Sequence, residues 1–511
     1  MVTLYEETER SYDGALRQAL TPDGLPDVAS TTAGGPETLD AVHYDTAELR
    51  LLRGGITLRR RTGGHDAGWH LKIPHRDGHR TELRLPLDAG SARRVPDELV
   101  TRTRCLARGG RLAPVAHLRT RRERTLLLDR DRHTLAELVR DEVSAQILDA
   151  ARLPGPVAAS GPDGTLAELV TWTETEVELL EGGHGLLDAV DHRLREQGLH
   201  RSATTSKLAR ALADRLPPPP HSSEPAAGSA GEALACYLRE QAAKLRELDP
   251  SVRLDEPDAV HRMRVSVRRL RSALTAHRCL LERETVDPLA EELRWLGQVL
   301  GHARDAEVLG RRLGAQAAAL PPAAHPAEVA DRLHAWFDHR YAYAHRAAVH
   351  AMGGHRYYAL LDALDDLDTA PPLSARADRG ASQGRRVLRR ERRRTGRRLR
   401  AALDLPAGAD RDRALHRARK AAKRARYTAE SLSTLLGATG RRCGKRMKKI
   451  QKALGVHQDG VVAEQALLPV AAAATRAGEA TFGYGMLYAL QRRSAGEQLA
   501  TVQRHWRRLS H

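Results

Sequence analysis

The spacing of apolar residues changes character once along this chain, and it does so at a proline-rich joint. In the first part, short runs such as GITLRRR, GWHLKIP, RTELRLPL, LRTRRERTLLLD and TWTETEVELL alternate with period two between Gly, Pro or Asp. That is the pattern of half-buried antiparallel strands. Helical spacing interrupts them at 186–198 and 206–216. Later, EALACYLREQAAKLREL and DPLAEELRWLGQVLGHARDAEVLGRRL place apolar residues at i, i+3, i+4 and i+7, the stripe of a packed helix. Between the two lies LPPPPHSSEPAAGSA (216–230), which has neither period and reads as a linker with a stiff polyproline start. The expectation is a multidomain chain: an α+β unit with an antiparallel sheet over 1–213, a linker over 214–230, and an all-α unit over 231–511. A length of 511 residues suits two such units.

Charge follows the same division. Residues 1–220 hold 31 basic and 33 acidic side chains, whereas 221–511 hold 52 and 32. The net charge of +18 therefore resides in the helical half, which points to a polyanionic partner for that half. No run of 18 apolar residues exists, so no spanning helix is expected. The start, MVTLYEETER, has no apolar stretch of the secretory type. Four cysteines, at 105, 236, 279 and 443, form no CxxC pair. A disulfide framework or zinc site is not expected, and a reducing, cytoplasmic setting is.

The helical half repeats itself. HRMRVSVRRLR (261–271) returns as HRARKAAKRAR (416–426), with five of eleven residues identical. Leu300, Gly301 and Asp305 return as Leu454, Gly455 and Asp459 at nearly the same offset. Two similar halves, about 231–365 and 385–505, are expected to pack about a pseudo-two-fold axis. At about 100° per residue, His261, Arg264, Arg268 and Arg271 share one stripe, and Met263, Val267 and Leu270 share another. In the second copy His416, Arg419, Lys423 and Arg426 take the cationic stripe. VHRMRVSVRRLRSALTAHR contains no acid, and like charges at i, i+4 repel, so an anionic ligand is the simpler account. RRVLRRERRRTGRRLR (385–400) adds ten Arg against one Glu; it reads equally as a solvated basic face.

Nucleic acid is the usual partner of a basic surface, but single-strand binders stack bases on aromatic side chains. This chain has 2 Phe, 11 Tyr and 5 Trp, and its cationic helices carry almost none. A bare phosphate chain fits better than nucleic acid. The motifs VHRMRVSVRRLRSAL with LGHARDAEVL, and LHRARKAAKRARYTAE with LGVHQDGVV, resemble a CHAD domain. The resemblance implies two four-helix bundles with a basic channel that binds inorganic polyphosphate, and association with polyphosphate granules. It implies that His261, Arg264, Arg268, Arg271 and Arg304, with His416, Arg419, Lys420, Lys423 and Arg426, line that channel. In the second copy Gln458 replaces Arg304.

The strand half pairs like charges two residues apart. Glu7 and Glu9, and Glu174, Glu176 and Glu178, place carboxylates on one strand face. Arg59 with Arg61, Arg80 with Glu82 and Arg84, and Arg119 with Arg121 share that spacing, and Lys72 sits beside them. Acidic and basic strands facing one cavity suit a metal-bound triphosphate, since hard oxygen ligands hold Mg²⁺ or Mn²⁺ and cations stabilise phosphoryl charge. Exposed charges paired across a sheet are the plainer alternative. ETERSY (7–12), YDTAELRLLRGGITLRRRTGG (44–64), WHLKIP (69–74), RTELRLPL (80–87), TETEVELLEG (173–182) and SKLARAL (206–212) together resemble a CYTH domain of the triphosphate tunnel metalloenzyme superfamily. This implies an eight-stranded antiparallel tunnel in which Glu7, Glu9, Glu174, Glu176 and Glu178 hold the metal. Arg59, Arg61, Lys72, Arg84, Arg119, Arg121 and Lys207 would grip phosphates. The family's opening signature, E-x-E-x-K, is here Glu7, Glu9 and Ser11, without the cation. Three readings follow: a metal-dependent hydrolase of tripolyphosphate or polyphosphate ends; a polyphosphate-associated scaffold whose tunnel no longer turns over; and, less favoured, a nucleic-acid-binding protein acting through the second half. Oligomeric state does not follow from the sequence.

Overall fold

A computed structural model describes residues 3–16, 18–74, 80–148, 169–216 and 225–493, the side chains of Leu4 and Glu7 excepted. The chain divides into two compact units, Met1–Pro219 and Pro220–His511. Residues 217–224 of the expected linker, and the end of the second repeat beyond 493, lie outside the described residues.

The first unit is one antiparallel sheet of ten strands: β1 (Thr3–Asp13), β2 (Ser30–Ala33), β3 (Glu37–Asp45), β4 (Thr57–Thr62), β5 (Gly68–Pro74), β6 (Arg80–Leu85), β7 (Ala113–Leu128), β8 (Thr134–Ile147), β9 (Leu169–Leu179) and β10 (His200–Arg201). The order β1-β6-β5-β4-β3-β7-β8-β9 returns to β1, because β1 pairs with both β6 and β9. The ring closes into a barrel. The short β2 and β10 join it from outside, on β7 and β1.

Period two gives the barrel two faces. Leu58, Leu71 and Leu83, two of them fully buried and the third nearly so, face outward and pack with Trp69 and Leu99. Tyr12, Leu138 and Val177 do the same against helix α3 (His184–Glu196) through Leu187, Val190 and Leu194. These two apolar cores lie outside the ring, between strands and helices; on the inner face a third packs Leu118, Val143 and Ala145 against Leu208 and Leu212, and the rest of that face is polar. Helix α4 (Lys207–Ala211) is capped by Ser206, whose side chain accepts from the Ala209 N–H at 3.1 Å. This cap sets Lys207 at the first helical position.

The second unit is helical. Its first repeat contains α5 (Ala230–Glu247), α7 (Ala259–Ala276), α8 (Arg283–Ala318) and α10 (His355–Thr369). Its second contains α11 (Ala381–Leu403), α12 (Ala409–Ser431) and α13 (Ser433–Arg476). Ser229 caps α5, accepting from Glu232 N–H while Glu232 accepts from Gly228 N–H, a reciprocal capping pair. The Ala-rich face of α12 packs closely into one core with α11 and α13 through Ala418, Ala422, Ala425 and Leu454. A second core joins α8, α9 (Pro326–Met352), the later turns of α13 and helical residues 482–493. Pro321–Pro322 separate α8 from α9, and Pro371–Pro372 follow α10. The repeated helices α7 and α12 meet: His277 lies 2.9 Å from Ser431 Oγ, and Arg268 Nε donates to Tyr427 at 3.0 Å. Among the described residues no helix is long and apolar enough to cross a membrane.

Candidate functional site

Register carries the inward face from strand to strand. On β9, Glu178 sits opposite Glu9 of β1 on one side and Glu137 of β8 on the other. Three carboxylates thus lie in a row across three strands, an arrangement that repels itself. Glu9 is engaged by Arg80 and by Lys72 at 3.8 Å, and Glu137 by Arg124. Burial, followed by Glu9, Glu137 and Glu82 acting against Lys72, raises the Glu178 carboxyl above its usual range. The donors are all hard oxygens, the chemistry that suits a divalent cation.

One step along the same strands, Glu174, Glu176 and Asp141 bring carboxylate oxygens within 4.8 Å of one another. Here the Lys207 ammonium occupies the centre, 2.6 Å from Glu174, 2.7 Å from Glu176 and 3.1 Å from Asp141. Burial opposes the charged lysine, but the three carboxylates overcome it and push its pKa up. Arg122 adds a bidentate pair to fully buried Asp141, at 2.8 and 2.6 Å. Glu176 is half-buried; burial raises its pKa, yet Lys207 and Arg122 hold it well below the usual carboxylate range.

Across the cavity, β4, β5 and β6 present cations. His70 bonds Glu82 through Nδ1 at 2.8 Å, and Arg59 lies 3.8 Å from the same carboxylate. Arg84 also pairs with Glu82, and Arg61 with Asp66. The Nε atoms of Arg59 and Arg61 are nevertheless buried without a hydrogen-bond partner. Burial, then Arg59 and Arg122, lowers Arg61 to about 8. His43, buried and facing Arg59, Lys207 and Arg61, falls to about 3 and is neutral at physiological pH.

The lumen therefore gathers Glu9, Glu176, Glu178, Arg59, Arg61, Lys72, Arg84 and Lys207 from the expected set, and Ser11 beside them. Glu174 lies at its wall against Lys207. The Glu7 side chain lies outside the described residues. Arg119 and Arg121 do not belong: both point out of the barrel, Arg119 being 68% exposed and 3.5 Å from Asp40. Arg122 and Arg124 take the inward positions instead. The signal was present, since buried Ala116, Leu118 and Thr120 share the phase of 122 and 124. Sequence reading also missed Glu137 and Asp141. Arg10 faces outward, donating to Leu187 O and Asp188 on α3. Ser11 Oγ stands 3.5 Å from Glu176.

In the helical unit the stripes of α7 and α12 influence one another. Lys423 falls to about 7 through burial, then Arg419, Arg268 and Arg264. Burial and the same two α7 arginines depress Arg419, with Asp459 opposing. Each repeat holds one arginine in the same way. Arg264 donates to Gly301 O at 3.2 Å and Asp305 at 2.8 Å, and Arg419 lies 3.5 Å from Asp459. A Cβ on Gly301 or Gly455 would meet that guanidinium at 3.5 Å, so the repeated Leu-Gly-x-x-x-Asp is a seat for the arginine. Arg304 pairs with Glu307 at 2.8 Å and Asp258 at 3.4 Å and lies near His261; its counterpart Gln458 bonds His416 at 2.9 Å. Tyr427 sits amid Arg268, Arg269 and Arg426. Arg426 is tied to Glu430 and Gln451, while Arg271 and Lys420 are exposed.

Residues 18–212 match the CYTH domain and residues 236–468 the CHAD domain. Rv2226, an uncharacterized protein of Mycobacterium tuberculosis strain H37Rv, is 38% identical over 490 residues, covering 94% of this chain and 92% of that protein. Among solved structures, PptA from Streptomyces chartreusis is similar at 22% identity and a TM-score of 0.46, over 55% of this chain and 99% of PptA. The CHAD domain of the plant Ricinus communis is similar at 25% identity and a TM-score of 0.42, over 57% of this chain and 96% of that one. The chain belongs to the family of proteins in which a CYTH domain is followed by a CHAD domain.

Proposed function

We propose that the protein binds inorganic polyphosphate through its helical unit and hydrolyses phosphoanhydride bonds of tripolyphosphate or chain ends within the barrel. The observation that carries the reading is the lumen itself. Carboxylates of β1, β8 and β9 face guanidinium groups of β4 and β6 across one cavity. Glu9, Glu137 and Glu178 would hold Mg²⁺ or Mn²⁺, which when bound neutralises charge on phosphate oxygens. Arg59 and Arg61 supply N–H donors that lack partners, and an arriving anion satisfies them. Glu82 and Asp66 fix the forks of Arg59, Arg84 and Arg61, so little reorientation is needed at the moment of reaction. Lys207 holds Glu174, Glu176 and Asp141 together, and with Arg122 it keeps Glu176 ionised.

The experiment is phosphate release from tripolyphosphate with and without Mg²⁺ or Mn²⁺. Metal-dependent release is expected, falling on the order of 100-fold or more in Glu9→Gln and Glu178→Gln. No release with either metal would leave the second reading, a polyphosphate-associated scaffold. Two features favour that alternative: Ser11 in place of the signature lysine, and a lysine occupying the best-formed carboxylate cluster. Ser11→Lys is the companion variant. Under the enzymatic reading it raises turnover, since it adds a cation beside Glu176.

A further inference from the structure

A second cationic cavity lies in the helical unit, and none of the ten stripe residues lines it. It measures about 560 Å³ and is bounded by α11, the end of α7, the start of α8 and one residue of α12. Its wall contains seven arginines against one acid, Glu391. That acid is spent. Glu391 is 2% exposed and accepts from Arg424 Nε at 2.6 Å, with Arg390 at 3.5 Å. Arg424 keeps its Nη2 buried without a hydrogen-bond partner. Arg394 and Arg397 have no ion-pair partner among the described residues. Arg398 reaches only a backbone oxygen, that of Arg417 at 3.4 Å.

The internal repeat shows that this cluster is not forced by the fold. At the offset that superposes the two copies, α11 corresponds to α5. The basic side chains of α5 are satisfied: Lys244 by Glu240, Arg246 by Asp365 and Asp368, and Arg239 by Asp368 O. Its counterpart carries ten arginines and one glutamate over 385–400. At that offset Arg390, Arg397 and Arg398 fall on Ala235, Ala242 and Ala243, and only Arg394 falls on a basic residue, Arg239. No aromatic side chain lines the cavity, so nothing there stacks on a base. Guanidinium forks match phosphate oxygens in pairs.

We propose that this cavity is a second anion site, which takes a short linear phosphoanhydride, of tripolyphosphate size, independently of the α7–α12 stripes. Only the choice of anion rests on the polyphosphate reading. The same chemistry could arrive as a free short oligomer or as a segment of a long chain, and a local probe separates the two.

Cys279 lines the cavity and is half-buried, whereas Cys236 is exposed on α5. The full-length protein is alkylated with and without tripolyphosphate, in the absence of metal, and modification at each cysteine is followed by peptide mass spectrometry. Tripolyphosphate is expected to slow labelling of Cys279 about fivefold or more and to leave Cys236 unchanged. In Arg394→Ser/Arg397→Ser the protection disappears; in the stripe variant Arg264→Ser/Arg268→Ser it persists. Long-chain polyphosphate at equal phosphate should protect Cys279 less per phosphate than tripolyphosphate does. Equal or stronger protection by the long chain, lost in the stripe variant, would overturn an independent site. Absence of protection in the wild type, or protection surviving Arg394→Ser/Arg397→Ser, would overturn the site altogether. Polyphosphate retention by the same variants, measured in parallel, reports separately on the stripes.

Discussion

Lys423 carries a titration that the helical unit can be tested by. Burial comes first in lowering it to about 7, then Arg419 on its own helix and Arg268 and Arg264 on α7, with Asp459 on α13 opposing. A bound polyanion favours the ammonium, so binding takes up a proton when the pH is near or above that value. Polyphosphate affinity is expected to fall by roughly tenfold as pH rises from about 6 to about 9. Lys423→Arg should flatten that dependence, measured by retention or calorimetry across the range. The stability sign is the reverse of the usual lysine case. The folded pKa lies below the unfolded one, so the folded state binds fewer protons between them. The strain of the charged lysine is present below about 7 and is relieved as pH rises towards the unfolded value.

At the scale of elements, β7 shows what alternation fixes and what it leaves open. LRTRRERT carries arginine on both faces, so charge alone gives no phase. The phase comes from Ala116, Leu118 and Thr120, which are buried and keep step with Arg122 and Arg124. Arg122→Ser leaves Asp141 buried and short of its bidentate partner, and is expected to cost about 3–5 kcal/mol in chemical denaturation. Arg119→Ser/Arg121→Ser should stay within about 0.5 kcal/mol per site and leave phosphate release unchanged. Elsewhere the sequence was more explicit: the E-x-E of β9 and the R-x-R of β4 reached the lumen because their apolar neighbours, Val177 and Leu58, face the outer core. Asp141 escaped because its role depends on register with β7 and β9, which no local pattern encodes. The seat made by Gly301 and Gly455 was visible as a repeated motif but not as a contact across two helices. Gly301→Ala should be tolerated, since 3.5 Å is an ordinary contact. Gly301→Val should displace Arg264 and weaken polyphosphate retention several-fold, with Gly455→Val doing the same through Arg419.

On the scale of the whole molecule, each unit has cores of its own: those of the barrel lie between its strands and the short helices of the same unit, and those of the second unit lie among its helices. Thermal unfolding is therefore expected to resolve two transitions rather than one. Long-chain polyphosphate should raise the transition of the helical unit, and tripolyphosphate with Mg²⁺ that of the barrel, each by mass action. Calorimetry of the full chain, with Arg264→Ser/Arg268→Ser and Glu9→Gln as controls, assigns each transition to its unit.

The ring also sets an order of events during synthesis. Within this unit β1 precedes the other strands, and it pairs with β6 on one side and with β9, which ends at Leu179, on the other. A nascent chain must hold that strand with one border unmatched until nearly the whole unit has been translated. The helices that follow can form from neighbouring residues as they emerge, whereas the barrel must wait for its two ends to meet.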